Sequence, residues 1–290
     1  MFKPWLILLE VTNRCNAKCS YCNHKYITQF CDMDFDLYKR IVDETRSYGN
    51  VLHPNGYGEP LLYPHIIEAI EYANKKGFKT VMYTNASLLD EDMSRQILDA
   101  KLNEMRLSVD GFDKESFEAL RSGLSWDTVV NNVKNFQDMK KRGGYKTLTM
   151  ARPTVTREYD SKRDLMISFW KQCVDVVTPV REYYWPSLPE IRQRRWSSGE
   201  GFMCKRVYNH LAVKSNGDLV ICSCDRGNYV LANLLEESDI IEAYNNDAFN
   251  DIREAEITGV NYPTLCHTCP EAGLKARERG SVAVKKGRLF

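Results

Sequence analysis

Glu10-Val11-Thr12-Asn13-Arg14-Cys15-Asn16-Ala17-Lys18-Cys19-Ser20-Tyr21-Cys22 places three cysteines within eight residues, directly after an apolar run, Trp5–Val11, that reads as a strand. A loop this short can turn all three thiols onto one small inorganic group, and thiolates favour soft metals and iron–sulfur clusters. A cube of four irons held by three cysteines keeps one iron without a protein ligand, open to chelate a small molecule. The alternatives are reduced structural cysteines or zinc. A closed zinc site needs a fourth ligand, which His24 could supply, and usually spaces its cysteines two plus two.

Working outward, strand-like runs alternate with helical ones as far as about residue 185. The strand candidates are Trp5–Val11, Asn50–Tyr57, Phe78–Thr84, Glu104–Val109, Lys146–Val155 and Asp175–Tyr184. Between them the apolar spacing is helical: in Pro64–Lys76, Ile66, Ile67, Ile70 and Ala73 share a face and Gly77 ends the helix. Such alternation implies an α/β chain with a parallel sheet and right-handed crossovers, either open or curled into a barrel, with its site at the carboxyl ends of the strands. The pattern stops near Pro186. Leu211–Lys214 and Asp218–Ile221 then flank Ser215-Asn216-Gly217, a hairpin signal, and Asp239–Ala255 reads as one helix. Folding of that hairpin would bring Cys204 beside Cys222, and the returning chain would add Cys266 and Cys269. Four thiolates can close a site, and taken alone they fit zinc as well as a cluster.

The balance of the chain excludes other classes. Forty Lys and Arg against 39 Asp and Glu leave a net charge of +1, so nothing electrostatic favours a nucleic acid or an anionic membrane. The apolar run at the start is far shorter than the roughly 20 residues of a membrane span or a secretory core, so a cytoplasmic location is expected. In that compartment, ten cysteines argue for metal rather than disulfides. Cys31 and Cys173 read as small buried hydrophobes. Cys224, two residues past Cys222, is either a spare ligand or a hydrogen-atom donor.

The cysteine stretch resembles the radical S-adenosylmethionine (SAM) superfamily, whose signature is C-x3-C-x2-C after the first strand. Further landmarks follow in order. Gly56-Tyr57-Gly58-Glu59-Pro60 looks like the family's "GGE" segment, with Tyr57 in place of a glycine. Thr84-Asn85 and Ser108-Val109-Asp110-Gly111 look like its later polar segments. The resemblance implies a partial (β/α)6 TIM-like barrel over residues 1–195. A small α+β domain with a hairpin and a helix is expected over 196–275, similar to the twitch (shortened SPASM) fold, and a basic tail over 276–290. It implies a SAM-binding 4Fe–4S cluster on Cys15, Cys19 and Cys22, and an auxiliary 4Fe–4S cluster on Cys204, Cys222, Cys266 and Cys269. Tyr21, Gly58, Glu59, Thr84, Asn85, Ser108, Asp110 and Arg152 are the implied SAM contacts, with Glu59 on the amino group.

In this family the reduced first cluster splits SAM, and the resulting 5′-deoxyadenosyl radical takes a hydrogen atom from an unreactive carbon. Spacing of the later cysteines is similar to the small twitch dehydrogenases of aminoglycoside biosynthesis. That implies two-electron oxidation of a small hydroxylated substrate such as an aminocyclitol or sugar, with a flavodoxin or ferredoxin as electron donor. Epimerisation with Cys224 as hydrogen donor is one alternative. Modification of a ribosomally made peptide is another, although no leader-binding domain is expected before Trp5; an iron–sulfur or zinc scaffold or sensor is the non-enzymatic one. Arg181, Tyr183 and Trp185, ending the sixth strand, are the expected substrate contacts, since Arg and polar aromatics suit hydroxyls or a carboxylate.

Overall fold

Side-chain alternation along the first strand separates two layers. Ile7 and Leu9 are buried in a large core with helix residues such as Ile41 and Ile70, whereas Leu8 packs with Ala212 and Val220 on the opposite face. A computed structural model describes residues 1–181, 204–225 and 229–258, together with Pro263 and Cys266. Arg181 is described by its backbone alone. Tyr183, Trp185, Cys269, the expected boundary near 195 and the basic tail lie outside the described residues.

Strands β1 (Leu6–Leu9), β2 (Val51–His53), β3 (Lys79–Thr84), β4 (Glu104–Leu107), β5 (Leu148–Ala151), β6 (Thr154–Val155), β7 (Val176–Val177) and β8 (Val180–Arg181) carry the first part of the chain. All pair in parallel, in the order β1-β2-β3-β4-β5-β7, with β6 beside β8. Helices α1 (Phe35–Thr45), α2 (Ile66–Lys75), α3 (Glu91–Asp99), α4 (Lys114–Leu120), α5 (Trp126–Gly143) and α6 (Arg163–Trp170) make the crossovers. Side-chain caps start α1, α3, α4 and α5, as where Asp34 accepts from the Asp36 and Leu37 N–H groups. This is the expected partial (β/α)6 barrel.

Two expected strands are broken. Pro153 interrupts Lys146–Val155 and Pro179 interrupts Asp175–Tyr184, because proline has no N–H for the ladder. The chain resumes one residue later, where Val180 N–H donates to Pro153 O at 2.9 Å.

Beyond the gap come α7 (Arg206–Asn209), β9 (His210–Val213), β10 (Asp218–Val220), β11 (Val230–Asn233), α8 (Ile240–Ala243) and α9 (Asp247–Thr258). The expected hairpin is β9–β10, and β9 pairs in parallel with β1, Leu6 opposite His210 and Leu9 opposite Val213. The hairpin therefore extends the barrel sheet to nine strands among the described residues, and Leu211, Val213, Tyr244 and Phe249 join the barrel's own core. The single helix expected over Asp239–Ala255 is instead two. Asp239 caps α8, and Asn246 Oδ1 accepts from Phe249 N–H to start α9. Among the described residues no helix is long and apolar enough to cross a membrane.

Barrel interiors are ordinarily filled with branched aliphatics. Here the register instead aligns Tyr83, Arg106 and Met150 on the face shared with Leu8 and His53. The guanidiniums of Arg106 and Arg152 lie 5.1 and 5.8 Å from the Tyr83 ring centre, giving the barrel a polar inner wall.

Candidate active site

The cysteine loop leaves β1 and is tied down on both sides. Met33 N–H donates to Val11 O, and Asn13 donates to Gln29 O while accepting from Cys31 N–H. Lys18 and Ser20 N–H groups donate to Ser122 O and Leu120 O. Cys15, Cys19 and Cys22 are free and partly buried. Burial pushes the Cys15 thiol up to about 12 and raises Cys19 as well, Arg121 opposing the rise at Cys19. Among the described residues no three His, Cys, Asp or Glu side chains converge closely enough for a single metal ion. Three thiols on one short loop are the soft donor set that an iron–sulfur cluster takes. His24 Nε2 lies 2.8 Å from Asn13 O, a carbonyl that can only accept, which leaves Nδ1 as the ring nitrogen able to ligate.

The Gly56–Pro60 segment packs directly over this loop. A Cβ at Gly58 would lie 2.2 Å from Thr12 O and 2.7 Å from Arg14 O, and one at Gly56 would run into the Glu10 side chain. That close approach sets Glu59 N–H 2.8 Å from Arg14 O. The Glu59 carboxylate is buried, and burial raises its affinity for a proton while its donors oppose the rise. Thr84 Oγ1 donates to it at 2.6 Å, Asn85 N–H at 2.7 Å and Leu61 N–H at 3.2 Å. A carboxylate offers about four acceptor sites, so one on Oε2 stays open to a ligand ammonium.

Thr84 and Asn85, expected to face SAM, are engaged in holding this arrangement. Asn85 Nδ2 also donates to Asn16 Oδ1 in the cysteine loop, and Ala86 beside them has a left-handed backbone, φ 61°. Such strain outside glycine gathers at functional sites.

Asp110 is likewise committed. Its fully buried carboxylate accepts from Tyr21 O–H, from Arg121 Nε at 2.7 Å and from Thr154 N–H at 2.5 Å. Tyr21 is thus brought to Asp110, while Ser108 donates its backbone N–H to Thr84 O. Arg152 reaches the inner wall at Tyr83.

In the later segment, Cys222 and Cys266 both pack on Val207, Ile221 and Ile252. The Cys222 thiol is raised by its bond to Cys224 and by burial, and Arg206 donates to Cys224 Sγ at 3.1 Å. Cys204 begins the same described segment, just before α7.

Sequence reading missed the side chains that join the two cysteine sets. Glu10 Oε2 accepts from Tyr57 N–H at 2.8 Å and from buried Lys214 at 3.3 Å, whose ammonium lies over the Tyr57 ring. Tyr57 O–H, in place of the family's glycine, donates to Cys224 O at 3.0 Å. The tyrosine's departure from the motif was the available signal. For Arg121 and Lys214 there was none.

Residues 9–164 match the family model of the radical SAM superfamily, and residues 204–270 that of the SPASM iron–sulfur cluster-binding domain. The first match covers more than half of the chain, and the protein belongs to the radical SAM superfamily. These domains imply SAM and iron–sulfur clusters.

A tungsten-containing aldehyde ferredoxin oxidoreductase cofactor-modifying protein of Pyrococcus furiosus is 28% identical over 107 residues, 36% of this chain and 30% of that one. A PqqA peptide cyclase of Rhodopseudomonas palustris is 30% identical over 111 residues, 37% of this chain and 29% of that one. The chain thus spans under a third of either relative's length. Among solved structures, BtrN in complex with AdoMet and 2-DOIA gives a TM-score of 0.60 at 18% identity, covering 93% of this chain and 94% of that one. Streptococcus suis SuiB bound to precursor peptide SuiA gives 0.67 at 16%, covering 95% and 74%. At these identities the likeness establishes the fold.

Proposed function

We propose that the protein takes a hydrogen atom from an unreactive carbon of a small hydroxylated substrate, such as an aminocyclitol or sugar, and completes a two-electron oxidation. When bound, a 4Fe–4S cluster on Cys15, Cys19 and Cys22, reduced by a flavodoxin or ferredoxin, would supply the electron that splits SAM, and an auxiliary 4Fe–4S cluster on Cys204, Cys222, Cys266 and Cys269 would take the second electron from the substrate. The chain's own part is to hold and exclude. Glu59 offers its open acceptor site to the SAM ammonium, while Thr84 and Asn85 fix its carboxylate. Tyr83, Arg106 and Arg152 present hydrogen-bonding groups to a hydroxylated substrate, and Arg181, Tyr183 and Trp185 are the further contacts that the sequence suggests.

The observation that carries this reading is the Tyr57–Cys224 bond, which fastens the SAM-binding segment to the second cysteine set so that both serve one substrate. The likeness to BtrN, which covers almost the whole of both chains, supports it. An epimerase would need Cys224 free to give a hydrogen atom to the substrate, and its sulfur instead accepts from Arg206 at 3.1 Å. Peptide modification is the second reading, favoured by the likeness to SuiB with its bound precursor peptide.

Anaerobic reconstitution should give about eight irons per chain, four for each of two clusters. A panel of cyclitols, sugars and peptides should then show an oxidised small molecule formed with 5′-deoxyadenosine. Four irons with zinc would remove the second electron acceptor, and turnover of peptides alone would replace the substrate class. Cys224→Ala should keep product formation; loss of product with SAM cleavage retained would install the epimerase.

A further inference from the structure

Arg121 is a buried cation paired with Asp110 and is not itself among the implied SAM contacts. It follows the last turn of α4, and its position is dictated by the cysteine loop. Leu120 O and Ser122 O, on either side of it, accept from Ser20 N–H and Lys18 N–H, on either side of Cys19. This backbone pairing delivers the guanidinium to the Cys19 sulfur, with Nη1 3.6 Å from Sγ and Nε 2.7 Å from Asp110 Oδ2. The side chains of Arg121 and Asp110 are 9% and 0% exposed. Taking both charges out of water costs several kcal/mol per ion before pairing, and a purely architectural contact could be made by apolar groups of similar volume.

The arrangement is also asymmetric. Asp110 shares its charge among three donors, Arg121, Tyr21 O–H and Thr154 N–H. The positive member of the pair is the one in contact with Cys19.

We propose that Arg121 is a positioning residue that raises the electron affinity of the group bound by Cys15, Cys19 and Cys22, by donating to the Cys19 sulfur and by standing as a buried positive charge beside it. Reduction potentials of thiolate-held clusters respond to net charge, hydrogen bonds to sulfur and solvent exposure, and this side chain changes the first two together. One added electron makes the group more negative, so a fixed cation favours the reduced form. Asp110 works in the opposite direction as its counter-charge. The inference rests on reading the three thiols as cluster ligands.

The test is a redox titration followed by electron paramagnetic resonance on anaerobically reconstituted full-length protein, without substrate or SAM. Arg121→Gln should shift the midpoint of the first cluster to more negative values. Asp110→Asn, which leaves the cation without its counter-anion, should shift it the other way. Arg121→Lys, keeping charge but losing the fork, should fall between parent and Arg121→Gln. If Arg121→Gln fails to fold because Asp110 is left unpaired, the double variant Asp110→Asn, Arg121→Gln should titrate below Asp110→Asn alone. A purely structural role would move the opposed variants together or not at all, and either result overturns the proposal. Absence of any cluster signal in the parent protein would instead defeat the ligand reading beneath it.

Discussion

Replacing Gly58 by Ala is the sharpest test of how the Gly56–Pro60 segment, proposed to bind SAM, is held. The new methyl group would stand 2.2 Å from Thr12 O and 2.7 Å from Arg14 O. Both are backbone atoms in a tethered stretch: Thr12 bridges Asp32, and Arg14 O accepts from Glu59 N–H at 2.8 Å. No side chain can swing aside, so the backbone must part. Overpacking of this kind costs about 1–3 kcal/mol, which at about 2–4 °C per kcal/mol in a chain of comparable size lowers Tm by roughly 2–12 °C.

The same displacement moves Glu59. On the proposed role of Glu59, loss of one charge-assisted hydrogen bond to the SAM ammonium, about 1.5–3 kcal/mol, should weaken SAM binding roughly ten- to a hundredfold. Differential scanning fluorimetry and calorimetric titration with SAM, both anaerobic, read the two effects. A Gly58→Ala protein with parental Tm and parental SAM affinity would refute the close approach and, with it, the role given to Glu59.

Two further outcomes follow from the inner wall and the bridge. Burial, aided by Arg106, His210 and Lys79 and opposed by Glu104, pushes His53 down to about 3. The unfolded chain therefore takes up the proton first. Stability from the neutral ring is complete above the unfolded value of about 6.5 and is lost as pH falls toward 3, by up to about 1.4 kcal/mol per unit. Urea unfolding at pH 7 and pH 4.5 should show His53→Gln losing less stability than the parent on acidification, and equal losses would count against the burial. Tyr57→Phe removes the bond to Cys224 O and keeps the ring under Lys214, at a stability cost of about 1 kcal/mol. Product formed per 5′-deoxyadenosine should fall while substrate-free SAM cleavage stays parental; an unchanged ratio would show that the bridge does not couple the two sites.

What could be read in advance was what short windows of sequence encode. Three cysteines in eight residues, the helical and strand periods and the Asn216-Gly217 turn each act over a few residues, and each reappears in the structure. Two readable signals were passed over. Pro153 and Pro179 lie inside the expected fifth and sixth strands and break them, and Asn245-Asn246 splits the expected last helix. The roles of Thr84, Asn85 and Asp110 were harder, because a polar residue at a strand end can face a ligand or spend its hydrogen bonds on its neighbours, and sequence does not say which. In the structure all three bond their neighbours.

By itself the sequence determined the cysteine loop, the acidic residue behind it and the alternation that builds a parallel barrel, since each depends on local geometry and on burial of one face. Tertiary structure alone decided that Arg121 meets Cys19 across 102 positions, Tyr57 meets Cys224 across 167 and Lys214 meets Glu10 across 204. Such pairs exist only after β9 has docked on β1 and the core has closed, because a buried charge or hydroxyl is held by whichever partners packing brings within reach.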